Sequence, residues 1–304
     1  MFDQIVGYAN DVVMVAEIFP GQRRYRITYV NHAFTRLFGY AESEIIGQSP
    51  RILNGPATSE LTVTEISEAI HNGEQVRRRI LNYTKNGQGV WIEANIVPLA
   101  NASGEFTHFA AIERDVTEQV RREEELTILA TTDSLTRLIN RRTFDRLLQQ
   151  EIARVVEFGV VLSLATIDLD HFKKINDQYG HGSGDEVLVI FANLLRASFD
   201  SSGYIARVGG EEFSVLMPDT ALQTAQCALD QFRKQIKREY LVLKDGTTVE
   251  INCSVGLTDF RPYNDSASSF CKRADAALYE AKRNGRDQIV VVGSQNDAGS
   301  LQVA

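Results

Sequence analysis

The run from Val160 to Ile167 constrains the fold more than any other stretch of this chain. It is almost continuously apolar, so a strand there must be covered on both faces, as in the middle of a packed sheet. It leads into Asp168-Leu169-Asp170. Carboxylates at the end of a central strand stand where open α/β sheets hold their ligands. A second constraint follows. Tyr204 to Val208 and Phe213 to Met217 are strand-like runs joined by Gly209-Gly210-Glu211-Glu212. Two glycines between such runs predict a tight hairpin with positive φ at the turn. A hairpin does not need two adjacent acids, because like charges repel and Glu is depleted in strands. Side chains alternate along a strand, so Glu211 and Glu212 are expected to point opposite ways, one of them toward a metal site. Taken alone, the four residues read as a hairpin tip with solvated acids, and the rest of the chain shifts that reading.

Composition narrows the class. The 304 residues are enough for two domains, and a 43% hydrophobic fraction supplies real cores. The net charge of −8 comes without a basic block, which argues against a nucleic-acid partner. No apolar run reaches the roughly 18 residues of a membrane span. Met1-Phe2-Asp3-Gln4 lacks the order of a signal peptide. Cys227, Cys253 and Cys271 are scattered, odd in number and without ligand spacing. They are expected as small core residues in a reducing cytoplasm. The histidines form no metal-ligand pattern.

Residues 1 to about 117 predict an α+β domain around one curved sheet. Asp11 to Ile18 and Tyr25 to Val30 read as strands around a Pro20-Gly21 turn, and Asn31-His32-Ala33-Phe34 begins a short helix. Residues 60–72 read as an amphipathic helix burying Leu61, Val63, Ile66 and Ile70. Gln75 to Asn82, Gly89 to Leu99 and Thr107 to Glu113 follow as strands. Through Tyr29-Val30-Asn31-His32-Ala33-Phe34, Phe38-Gly39-Tyr40, Asn82-Tyr83-Thr84-Lys85-Asn86-Gly87 and Arg114-Asp115-Val116-Thr117, this segment resembles a PAS domain. Gly47 to Asn54 and Asn82-Tyr83 tilt the resemblance toward the flavin-binding LOV branch, in a degenerate form. The photoactive cysteine of that branch falls on Pro50, and two polar flavin contacts fall on Ile92 and Glu113, leaving Asn82. No LOV photochemistry is therefore expected, and the ligand of the domain stays unassigned. Haem would need a placed histidine, and His32 and His71 have generic contexts.

Residues 118–132 are rich in charge and in helix formers, with Thr117 as the expected N-cap. Val120, Leu126, Leu129 and Ala130 form a sparse stripe, either a solvated helix or a short coiled coil between two copies. Asp133-Ser134-Leu135-Thr136 is expected to start the helix that buries Phe144, Leu147, Leu148 and Ile152. Gly180-His181-Gly182-Ser183-Gly184-Asp185 opens another helix, and a glycine-rich helix start offers free amides to an anion or polar ring. A helix from about Thr220 to Lys237, a strand from Val249 to Leu257 and a helix from Ser266 to Asn284 complete the second domain, 133–293. The tail, 294–304, is small and polar and expected to be disordered.

The second domain resembles the GGDEF family of diguanylate cyclases. The residues that carry this are Asp133-Ser134-Leu135-Thr136 with Asn140-Arg141-Arg142, Asp168 to Asp177, Gly180-His181-Gly182 with Gly184-Asp185, Gly209 to Phe213, and Ala274 to Arg286. The resemblance implies the palm-like α/β fold of class III nucleotidyl cyclases and the condensation of two GTP into cyclic di-GMP and two pyrophosphates. It implies Mg²⁺, with Mn²⁺ as an alternative, on Asp168, Glu211 and the Leu169 carbonyl. Glu211 would help deprotonate the attacking 3′-hydroxyl, with Glu212 in support. Asn176 and Asp185 would pair with guanine, with His181 close by. The amides of His171, Phe172 and Lys173, with Lys282 and Arg286, would hold phosphates. Each chain would hold one GTP, so a two-fold homodimer is implied, and the PAS domain would act by setting its geometry.

Two positions depart from the family pattern. The window for an Arg-x-x-Asp inhibitory site, nine residues before the first motif glycine, is Asp200-Ser201-Ser202-Gly203, so no primary product-inhibition site is expected. The usual glycine after Leu135-Thr136 is Arg137. Two other functions stay open at this point: a non-catalytic receptor for GTP or cyclic di-GMP, and a cyclase with a different base choice.

Overall fold

The computed structural model describes residues 10–19, 24–238, 240–293 and 302–303. The chain divides into two compact units, Met1–Leu126 and Thr127–Ala304. The expected Pro20-Gly21 turn lies outside the described residues.

The first unit holds Val12–Ile18 (β1), Tyr25–Val30 (β2), His32–Phe38 (α1), Glu42–Ile45 (α2), Glu60–His71 (α3), Val76–Tyr83 (β3), Gly89–Ala100 (β4) and Phe106–Asp115 (β5). The five strands make one antiparallel sheet in the order β2-β1-β5-β4-β3. Buried residues alternate along β1 and β4, the period of a sheet with one covered face. That face packs Met14, Ile27, Ile92 and Phe109 with Phe34, Phe38 and Ile70 of the helices. Asn31 caps α1, its Oδ1 accepting from the Phe34 N–H at 3.1 Å and from the Val13 N–H at 3.0 Å, so one side chain starts the helix and ties it to β1. Leu61 does not join the buried stripe of α3 and is 71% exposed. It precedes Val63 by two residues, about 200° of helix rotation, which puts it on the opposite face.

Thr117–Thr131 (α4) forms as a helix with no buried residue. Its cap differs from expectation. Asp115 Oδ1 accepts from the Thr117 N–H at 2.8 Å, while Thr117 Oγ1 accepts from the Trp91 N–H at 2.9 Å. The amide of Trp91 needs a partner, and the hydroxyl that could cap α4 supplies it.

The second unit holds Ile139–Asn140 (β6), Arg141–Phe158 (α5), Leu162–Leu169 (β7), Phe172–Tyr179 (α6), His181–Phe199 (α7), Tyr204–Gly209 (β8), Glu212–Pro218 (β9), Leu222–Arg238 (α8), Leu241–Val242 (β10), Thr248–Val249 (β11), Cys253–Asp259 (β12), Ala267–Arg283 (α9), Ile289–Val292 (β13) and Gln302–Val303 (β14). Seven strands form one mixed sheet, β14-β13-β12-β7-β9-β8-β6. β7 is central, antiparallel to β9 and β12, and every residue in it is buried. Ala165, Ile167 and Leu169 face a core with Phe191 of α7 and Phe232 of α8. Leu162 and Leu164 face Phe144 of α5 and Phe270 of α9. By the same parity Asp168 turns toward the α5–α9 side. α9 lies directly on β12, where a Cβ at Gly256 would meet the Ala274 carbonyl oxygen at 2.1 Å.

Four expectations are corrected. Asp133-Ser134-Leu135-Thr136 is a turn and not a helix start: Asp133 Oδ1 accepts from the Thr136 N–H at 2.8 Å, and Asn140 caps α5 instead. The run from Val249 to Leu257 is split, because Thr248–Val249 folds back on Leu241–Val242 in a small hairpin. Within the tail, Gln302 and Val303 pair with Val291 and Val290, since β13 would otherwise leave an open edge; residues 294–301 and 304 lie outside the described residues. Cys227 is exposed, while Cys253 is buried and Cys271 half-buried.

Candidate active site

The end of β7 gathers most of the expected residues. Asp168 is buried, opposite Glu212 on β9 and Ser254 on β12. Lys282, in the last turn of α9, places its Nζ 2.7 Å from Asp168 Oδ2. Burial pushes the Asp168 carboxyl above its ordinary range; Lys282 opposes this, and the charges of Glu211 and Glu212 add to it. Both acids thus lie within electrostatic reach of Asp168.

The hairpin that carries them is built differently from expectation. Gly209 pairs with Glu212, so Gly210 and Glu211 are the turn, and the register is shifted between Arg207 and Gly209. Neither glycine has positive φ. Glu211 is therefore at the tip and only Glu212 opens β9, so their separation comes from the turn and not from strand alternation. The Leu169 N–H donates to the Glu211 carbonyl at 3.4 Å, which joins the tip to the end of β7. Arg207 holds the turn from the other side. Its Nε donates to the Gly210 carbonyl at 2.9 Å and its Nη1 to Asp133 Oδ1 at 3.0 Å. Sequence reasoning passed over Arg207 as a strand residue; a cation inside an apolar run two residues before the glycines was the available signal.

Asp170 was also missed as an organiser. Its Oδ1 accepts from Ser254 Oγ at 2.7 Å, and its Oδ2 accepts from the Asp287 N–H at 2.9 Å. Arg286 Nε lies 3.9 Å from Asp170 Oδ1, so Lys282 and Arg286 face two acids two residues apart. Backbone geometry continues the site. His171 takes φ 58° and precedes α6, whose first amides, Phe172 and Lys173, have no partners within the helix. Phe172 is buried and Lys173 is exposed.

The expected base contacts lie across the α6–α7 junction. A Cβ at Gly184 would meet Asn176 Oδ1 at 1.8 Å, so the absence of a side chain there fixes where Asn176 stands. Asp185 follows, exposed, and His181 is exposed four residues earlier, on the same face of α7. An open pocket of about 850 Å³, counted to its mouth, on the α5–α9 side is lined by Arg141, Asp145, Glu212, Asp275, Tyr279 and Lys282 among others, and not by Asn176 or Asp185.

Among the described residues no group of three or more His, Cys, Asp or Glu is arranged to hold a metal. The donor set still fits one class of ion. Asp168, Glu211 and the adjacent main chain offer only oxygen, and a hard cation such as Mg²⁺ takes one or two carboxylates and completes its shell with water and phosphate.

The family profile described as "Diguanylate cyclase, GGDEF domain" matches residues 130–288, just over half of the chain, and a PAS domain profile matches residues 15–118. Diguanylate cyclase DgcP of Pseudomonas aeruginosa is 45% identical over 162 residues, 53% of this chain and 24% of that protein. Probable diguanylate cyclase DgcE of Escherichia coli is 27% identical over 286 residues, 92% of this chain and 25% of that protein. The chain thus spans about a quarter of the length of these two relatives. The coiled coil and GGDEF domain of DgcB from Caulobacter crescentus, solved in complex with c-di-GMP, superposes with a TM-score of 0.55 at 34% identity, over 58% of this chain and 93% of that one. The chain belongs to the GGDEF-domain family, with a PAS domain preceding the GGDEF domain.

Proposed function

We propose that this chain is a diguanylate cyclase that joins two GTP molecules into cyclic di-GMP and releases two pyrophosphates. The observation that carries this is the joining of the Glu211 tip to the end of the central strand through the Leu169 N–H, one residue from Asp168, with Lys282 against Asp168. In each half-reaction the 3′-oxygen of one GTP bonds to the α-phosphorus of the other, the bond to the pyrophosphate oxygen breaks, and the 3′-hydroxyl proton leaves toward Glu211. Glu212 supports that acid from the first position of β9. A divalent cation, Mg²⁺ or Mn²⁺, held by Asp168, Glu211 and the Leu169 carbonyl, would neutralise charge on the transferring group. Lys282 and Arg286, with the amides of His171, Phe172 and Lys173, hold the β- and γ-phosphates. Asn176 and Asp185 read the guanine edge, and His181 stands beside them.

One chain offers one nucleotide site, and a symmetric product needs two sites facing each other. Leu126, Ile128 and Leu129 are exposed on α4, which supports a helical pairing of two copies there. Residues 1–117 are assigned to the PAS domain, 118–132 to the connecting helix, 133–293 to the cyclase and 294–304 to the tail. PAS input then acts through dimer geometry. With Asp200-Ser201-Ser202-Gly203 in the inhibitory window, the product does not inhibit through the primary site. The test is incubation with GTP or ATP and Mg²⁺, with products identified by mass. One cyclic di-GMP and two pyrophosphates per two GTP, with at least tenfold less product from ATP, are expected. GTP binding by the dimer without turnover, also by residues 118–304 alone, would replace the cyclase with a receptor.

A further inference from the structure

Inside the first unit lies a buried acid with one oxygen that no described residue satisfies. Glu113 sits on the covered face of β5, in step with Phe109 and Ala111, where alternation calls for an apolar side chain. Its strand neighbours are Val12 and Ala94. It is 5% exposed, and its Oε2 is buried without a hydrogen-bond partner among the described residues. Burial pushes the carboxyl up to about 7. An unsatisfied buried carboxyl is costly, and a ligand that donates to it offsets that cost.

Glu113 lines a cavity of about 620 Å³, counted to its open mouth, whose walls include Met14, Ile70, Ile96 and Phe109. Asn82 lines the same cavity from β3. Its Nδ2 donates to the Leu53 carbonyl at 3.3 Å and to Asn54 Oδ1 at 3.5 Å, which leaves its own Oδ1 as an acceptor. β4 separates the two strands, so the two acceptors arise from backbones at least about 10 Å apart. A mostly apolar space with an acid on β5 and an amide oxygen on β3 calls for donors at two separated points of its occupant. The cation at the wall is Arg51, which is exposed.

We propose that this cavity binds a small, mostly apolar amine, whose protonated nitrogen pairs with Glu113 while a donor at the far end meets Asn82. A buried acid that meets a cation of matching geometry gains a charge-assisted hydrogen bond that water cannot supply there. The site thereby gives the first unit a ligand class unlike a flavin or a haem.

The test is calorimetric titration of the full chain with tyramine, which has an ammonium at one end and a phenol O–H at the other. The comparison ligands are 3-(4-hydroxyphenyl)propionate, which inverts the charge, and 2-phenylethylamine, which lacks the far donor. Tyramine is expected to bind at least tenfold tighter than the acid and several-fold tighter than 2-phenylethylamine. Glu113→Gln, similar in size, is expected to weaken tyramine at least tenfold. Preference for the acid would mean capture by Arg51 and would overturn the proposal. So would tyramine binding unchanged in Glu113→Gln, or no tyramine binding by wild-type protein that melts cooperatively, the result of a cavity that holds only water.

Discussion

Gly184 and Asn176 show how a single side chain sets chemistry at the residue scale. Gly184→Ala would drive a Cβ into Asn176 Oδ1, and the amide is the part that gives way. The expected outcome is a KM for GTP raised about tenfold or more, the loss of roughly one charge-free hydrogen bond, with a melting temperature close to wild type. Arg137 makes the opposite case. It holds φ 60°, a left-handed conformation that costs an ordinary residue about 1–2 kcal/mol. Its carbonyl accepts from Arg196, a contact that needs no side chain at 137. Arg137→Gly is expected to raise stability by roughly 0.5–1 kcal/mol after the entropy cost of glycine, read as a higher urea midpoint. Glu113 carries a pH signature. Its folded-state carboxyl is raised from 4.5 to about 7, so its neutral form is the favoured one in the fold. Stability is full below pH 4.5, falls as the unfolded chain ionises first, and levels off above about pH 7, a loss of about 3 kcal/mol. Urea unfolding followed by Trp91 fluorescence at pH 5 and pH 8 should show this loss in wild type and much less of it in Glu113→Gln. The acids themselves were legible in the sequence. Their placement was not, because Glu211 reaches the tip only through the register shift at Arg207, which no local pattern announces.

Elements were legible where one force dominates. β7 was readable because eight consecutive buried residues leave no alternative to a central strand. α9 was readable because Phe270, Ala274, Leu278 and Ala281 keep helical spacing and are all buried. Asp133 to Thr136 misled for a physical reason: Ser, Thr and Asp at a helix start and in a turn use the same side-chain-to-backbone bonds, and only Arg207, 74 residues away, decides between them. This turn follows α4 and leads, through Arg207, to the Gly210 carbonyl. Arg207→Lys cannot reproduce the forked contact with Gly210 and Asp133. Its kcat is expected to fall at least tenfold, while the affinity for a non-hydrolysable GTP analogue stays within about threefold. Equal loss of both would assign Arg207 a role in folding alone.

At the scale of the whole molecule, the proposed reaction needs two copies of this two-unit chain. The division was legible in the sequence, which predicts a connecting helix, 118–132, between two domains; the chain divides into its two compact units within that span, after Leu126. How copies associate was not, because the stripe on α4 is short. Replacing Leu126 and Leu129 by Glu is expected to shift sedimentation toward monomer and to lower specific activity at least tenfold at the same concentration, with recovery as concentration rises. The most direct test of the cyclase itself is Glu211→Gln. Full-length protein with GTP and Mg²⁺ should form cyclic di-GMP. The variant, with the same melting behaviour and GTP affinity within a few-fold, should form less than about a hundredth as much, because one acid at the turn tip is asked to supply a few kcal/mol to the transition state. Undiminished product from Glu211→Gln would overturn the proposed role of the turn-tip acid.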